Sequence, residues 1–172
     1  CDGGCAHVRA ANLRENKIPM VFFDRVVPGF SADQVIIDDL DAAYRATKHL
    51  IEEGRRKIVH FAGPQNLLIG QHRKEGYFNA LKEAGIPLNE DLVVVADSFE
   101  KARLAVLKLL DDNKDIDGLF AVNDLTAIGA MQTLQKRGIK IPDEIAIVGF
   151  SDGRLSGITD PTLTSVDQHG YE

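Results

Sequence analysis

Along this chain, short runs of apolar residues alternate with longer stretches in which apolar positions recur every three or four residues. The short runs cover residues 20–23, 35–37, 58–62, 92–96, 118–122 and 145–150. Most are rich in Val, Ile or Phe and bounded by polar or turn residues, the pattern of strands. Between them, Leu40, Ala43, Tyr44, Thr47 and Ile51 fall on one helical face. So do Tyr77, Leu81 and Ala84, then Ala102, Ala105, Val106 and Leu109, then Ala127, Ile128, Met131 and Leu134. Three of these helices run into a glycine (Gly54, Gly85, Gly138) able to close them in the left-handed conformation, and Pro87 and Pro142 follow two of them. Asp124 is placed to cap the last helix with its carboxylate. Strands made of uninterrupted apolar residues are buried on both faces. With a helix after each, the expected fold is α/β, a doubly wound parallel sheet joined by right-handed crossovers. From Ser151 onward the rhythm breaks into Gly, Pro, Ser and Thr with no helix of useful length, so the final stretch reads as a connection leaving toward another domain.

Ligands of open parallel sheets bind beyond the carboxyl ends of the strands. The residues that follow the apolar runs are Asp24 and Arg25, Gly63 and Pro64, Asp97, Ser98 and Phe99, Asn123 and Asp124, and Ser151 and Asp152. Arg73 lies at the start of the helix after Gly63-Pro64, on the same edge. Carboxylates, an amide, a guanidinium and an aromatic ring on one rim suit a polyhydroxylated ligand, because paired hydrogen bonds can engage neighbouring hydroxyls and a ring can cover a sugar face. Singly, each has an ordinary structural reading: Asp124 a cap, Asp97 a turn residue, Arg73 a solvated helix residue. Their coincidence on one edge is the signal.

Composition narrows the function classes. The chain has 172 residues, one ordinary domain or slightly more, and is 44% hydrophobic and 27% charged, enough to bury a core. Twenty Lys+Arg against 26 Asp+Glu leave a formal charge of −6, which argues against gripping a polyanion across a broad face. No apolar run approaches the roughly 18 residues of a membrane span. Cys1 and Cys5 offer neither a disulfide framework nor a Cys-rich metal site, so a reducing compartment is expected. The first eleven residues lack a signal-peptide layout; a leading Cys can also be a lipidated terminus, but a fragment is the better reading. Of the histidines, His60 falls inside a strand and is expected in the core, whereas His49 and His72 read as helix-surface residues. Arg55-Arg56-Lys57 reads as a solvated turn. Neither GxGxxG nor GxxxxGK[ST] is present, and no nucleophile–base pair or metal-ligand spacing is found. The expectation is a protein without catalysis, cofactor or metal.

The strings IPMVFFDR, ATKHLIEEGRRKIVHFAGP, RKEGYFNALKEAGIP, FAVNDLTAIGAMQTLQKRGIKIPDEIAIVGFSD and TDPTLTSVDQ follow one another in collinear order. Together they resemble the effector-binding core of LacI/GalR-type bacterial transcription regulators. The resemblance implies a two-lobed core like that of periplasmic sugar-binding proteins, with three strands crossing between lobes. Residues 1–37 would be the C-terminal part of the N-lobe, 38–165 the C-terminal lobe and 166–172 the crossing back. The helix-turn-helix headpiece and most of the first lobe would lie outside this chain. Effector contacts would fall on Asp24, Arg73, Ser98 or Phe99, Asn123, and the residue after Gly149-Phe150. That residue is usually Asp in the family and is Ser151 here, with Asp152 one step later. The resemblance further implies a cytoplasmic homodimer, free of the membrane, whose carbohydrate or related effector controls binding to operator DNA. The alternative is an exported transport or chemotaxis binding protein of the same architecture; an α/β enzyme acting on sugars or nucleotides is a more distant third.

Overall fold

A computed structural model describes residues 8, 10–13, 15–24, 26, 29, 31–112 and 114–169. Among the described residues, two parallel sheets are formed. In the smaller, β1 (Val21–Phe23) pairs with β2 (Asp33–Val35). The larger is built from β3 (Ile58–Ala62), β4 (Val93–Val95), β5 (Gly118–Ala121), β6 (Ala146–Ser151) and β7 (Thr164–Asp167), in the spatial order β4-β3-β5-β6-β7. Helix α1 (Asp39–Glu52) leads from β2 into the larger sheet, and α2 (Leu68–Glu83), α3 (Phe99–Asp111) and α4 (Asp124–Lys136) supply its crossovers.

The side-chain period of two sorts each central strand between two cores. Ile58, Phe120, Val148 and Phe150 pack with Leu50 of α1 and Tyr77 of α2. Val59, Phe61, Leu119 and Ile147 pack with Val106 of α3 and Leu134 of α4. Covered on both faces, β3 and β5 are buried throughout, which is why they appear in the sequence as unbroken apolar runs. The expected doubly wound sheet is therefore present. Gly54, Gly85 and Gly138 stand just past α1, α2 and α4 with φ of 88°, 66° and 79°. On the first face the helices touch closely: a Cβ on Gly76 of α2 would lie 2.2 Å from the Leu40 carbonyl oxygen of α1.

One expectation is corrected. The run at 35–37 is not the strand; β2 is Asp33–Val35, exposed along its length, because its register is set by backbone pairing to β1 rather than by burial. Among the described residues, the stretch after Ser151 has no α-helix and adds an edge strand to the larger sheet. β7 pairs with β6 from Val148↔Thr164 to Ser151↔Asp167, and as an edge strand it can carry Thr, Ser and Asp without an apolar signature. The basic run 55–57 is a turn pinned to its surroundings: Arg55 donates to the carbonyls of Pro142 and Asp143, and the amides of Arg56 and Lys57 donate to the Asp117 carboxylate.

His60 is fully buried, with Nδ1 3.1 Å from the Phe120 carbonyl and the ring stacked on Phe120 at 4.6 Å. Burial lowers its pKa from 6.5 to about 4, so the folded protein holds it neutral while the unfolded chain takes up a proton. Between pH 6.5 and 4 the unfolded state binds more protons, and stability falls as the pH falls. The expected loss between pH 7 and pH 4 is about 3 kcal/mol from this group, at about 1.4 kcal/mol per unit. Urea unfolding of the unaltered chain and of His60→Phe across that range checks it; the variant should lose correspondingly less.

Candidate functional site

A cavity of about 750 Å³ opens at the carboxyl ends of β1, β3, β4, β5 and β6. Asp24, Arg73, Asn123 and Ser151 all line it, brought from four separate parts of the chain. Asp97 and Gln168 join them, with the loop that opens α2 forming a further wall.

Arg73 is the anchor. Its side chain is buried rather than solvated, which overturns the helix-surface reading. Nε and Nη2 lie 2.8 and 2.7 Å from Oδ1 of Asp39, Nη1 donates to the Val122 carbonyl, and the guanidinium plane rests 3.6 Å from the Phe150 ring centroid. Burial pushes the Asp39 carboxyl upward and the guanidinium beside it opposes that shift. Asp39 is the first residue of α1, whose cap is Asp38 through a 3.0 Å bond from the Asp41 amide.

Asn123, not Asp124, caps α4: its Oδ1 accepts from the Thr126 amide at 2.9 Å and its Nδ2 donates to the Asp97 carbonyl at 3.3 Å. Asp124 is the first helical residue and is buried. Its carboxylate accepts from the Gly153 amide at 2.7 Å and from the Ser165 hydroxyl, tying α4 to the turn after β6 and to β7. Asp24 and Ser151 reach the cavity mouth with φ of 61° and 114°. For Ser151 this is a strained backbone, worth about 1–3 kcal/mol, of the kind that clusters at binding sites.

Three expected contacts do not line the cavity. Ser98 is the cap of α3, accepting from the Lys101 amide. Phe99 faces a separate apolar depression with Leu125, Ile128 and Ile158. Asp152 accepts from the Ser156 hydroxyl at 2.8 Å, while its own amide donates to Ser165. Conversely, Gln168 lay unremarked inside the TSVDQ string, and Asp39 was hidden beside a second aspartate that makes the ordinary cap. Asp97, read as a turn residue, faces the cavity and pairs with Lys101, which holds its carboxyl below the usual range. Among the described residues there is no group of three or more His, Cys, Asp or Glu arranged to hold a metal.

Sheet order, crossovers and a cavity at the strand ends define a periplasmic-binding-protein-like ligand domain. Residues 7–172 match the family described as periplasmic binding proteins and sugar binding domain of LacI family, and the chain belongs to it. It is 36% identical over 159 residues to the transcriptional regulator CelR of Thermobifida fusca, covering 91% of this chain and 47% of that protein. With the repressor CytR of Escherichia coli K12 it shares 32% over 160 residues, 92% of this chain and 47% of CytR. The solved CelR–cellobiose complex superposes with a TM-score of 0.83 at 36% identity, over 91% of this chain and 49% of that one. The chain thus spans about half the length of the curated relatives it matches.

Because Arg73 and Asp39 are buried together, removing one strands the other. Arg73→Ala should cost about 3–5 kcal/mol of stability. Chemical denaturation of Arg73→Ala, Asp39→Ala and the double variant checks this, with the double variant expected to lose clearly less than the sum of the single ones.

Proposed function

We propose that this chain is the effector-binding core of a LacI-type transcription regulator, sensing a carbohydrate or related small metabolite. The observation that carries the reading is the convergence of Asp24, Arg73, Asn123 and Ser151 on one cavity at the strand ends. Residues 1–37 finish the N-lobe, 38–165 make the C-terminal lobe and 166–172 cross back; the separate two- and five-stranded sheets support the division near residue 37, and β7 stays paired in the larger sheet as far as Asp167. Effector binding favours one lobe angle, and the crossings pass it to a helix-turn-helix that grips operator DNA. Such coupling is typically 1–3 kcal/mol and exists only as far as the ligand binds the two angles unequally. An acidic core agrees with DNA contact made elsewhere. We place the protein in the cytoplasm as a regulator without enzymatic activity, in line with its relatives, which are transcriptional regulators. No described helix is long and apolar enough to cross a membrane.

A homodimer completes the reading. Leu125, Leu155 and Ile158 are 53%, 45% and 76% exposed around the depression that Phe99 lines, an apolar patch suited to self-association. Ile158→Asp should shift the protein from dimer to monomer in analytical ultracentrifugation without loss of helical signal.

A thermal-shift screen against neutral sugars, cellobiose among them, tests effector binding; a ligand at 100 times its Kd stabilises by roughly 2.7 kcal/mol. Asn123→Ser keeps a capping oxygen and deletes the amide. It should weaken the hit by about 5- to 10-fold in titration calorimetry, the worth of one neutral hydrogen bond, with a small fall in melting temperature from the lost bond to the Asp97 carbonyl.

A further inference from the structure

Resting on the reading of this cavity as the ligand site, we infer that it selects an uncharged, hydroxyl-rich ligand over a phosphorylated or otherwise anionic one, and that Asp39 sets this preference. Among the described residues, Arg73 is the one cation lining the cavity, against the carboxylates of Asp24 and Asp97. The charge of Arg73 is already answered from behind, with Asp39 Oδ1 within 2.8 Å of both Nε and Nη2. Lys101 pairs with Asp97 but does not line the cavity itself. An entering anion therefore meets the carboxylate of Asp24, an Asp97 whose charge is shared with Lys101, and a guanidinium whose charge is answered by Asp39.

Donor and acceptor counting points the same way. A guanidinium has five N–H donors. Asp39 and the Val122 carbonyl occupy Nε–H and one N–H on each of Nη1 and Nη2, leaving one on each terminal nitrogen for the cavity. Asn123 spends Oδ1 on Thr126 and one amide hydrogen on Asp97, which leaves its second N–H. The cavity thus combines charge-compensated donors with carboxylates that only accept. A sugar hydroxyl donates and accepts, so it can answer both. A phosphate dianion brings oxygens that only accept and sets them against Asp24 and Asp97. Asp39 touches no ligand in this scheme; it converts Arg73 from an anion clamp into a donor of hydrogen bonds.

Isothermal titration of the unaltered chain and of Asp39→Asn with matched pairs tests the inference. The pairs are glucose with glucose 6-phosphate, galactose with galactose 1-phosphate and ribose with ribose 5-phosphate, with cellobiose as a further neutral probe. Asp39→Asn keeps an oxygen for Arg73 and removes the charge; Asp24→Asn, at an exposed position, serves as a second arm that leaves the Arg73–Asp39 hydrogen bonds in place. The expected result is a neutral sugar bound at least about tenfold more tightly than its phosphate ester, with that gap narrowing about tenfold in Asp39→Asn and in the same direction in Asp24→Asn. A phosphate ester bound as tightly as its parent by the unaltered chain, or a gap that Asp39→Asn leaves unchanged, overturns the inference and leaves the ligand-site reading standing. Absence of saturable binding by every probe removes the ligand-site reading and the inference with it.

Discussion

Taking a guanidinium out of water carries a penalty of several kcal/mol, and the architecture around Arg73 is arranged to offset it. A carboxylate, a carbonyl and an aromatic face meet the group from three sides. Each comes from a different part of the fold: Asp39 opens α1, Val122 directly follows β5 and Phe150 belongs to β6. The geometry depends on how near α1 and α2 can come. Gly76, one turn beyond Arg73, presses its backbone on the Leu40 carbonyl, so that α1 begins where the guanidinium can reach its first residue. A side chain at position 76 would push the helices apart, and the partners of Arg73 with them.

The same node connects the cavity to the rest of the chain. Asp39 follows directly on residues 36–38, which join β2 of the smaller sheet to α1. A group that meets Arg73 therefore stands two side chains from that junction. Asn123 plays a parallel part on the other wall, holding the start of α4 and the Asp97 backbone with one amide. Both cavity-lining residues are also structural, which is how a site formed by distant segments keeps its shape without a covalent link.

How much of this was legible in the sequence follows from burial. Strands such as Ile58–Ala62 are covered on both faces and announce themselves as apolar runs, whereas Thr164–Asp167 at the sheet edge has no such pattern and escaped. The strand-end rule located Asp24, Arg73, Asn123 and Ser151, because in a parallel sheet position along the chain predicts position on the rim. It could not say which of two adjacent polar residues turns inward. At 123–124 the amide caps and the carboxylate is buried; at 151–152 the serine lines the cavity and the aspartate closes a turn. Such one-residue choices are settled by tertiary partners, Gly153 and Ser165 for Asp124 and Ser156 for Asp152, that local sequence does not display.

The carboxylate of Asp124 reaches its partners only because Gly149 has no side chain; a Cβ there would lie 2.5 Å from Oδ1. Ser165 relays the arrangement, accepting from the Asp152 amide while donating to Asp124. In such a closed circuit the value of each member depends on the others. Positions 124, 149 and 165 are thus bound to drift through evolution as a group: replacing one alone leaves a buried acceptor or a collision, while a concerted exchange can preserve the join between β6, α4 and β7.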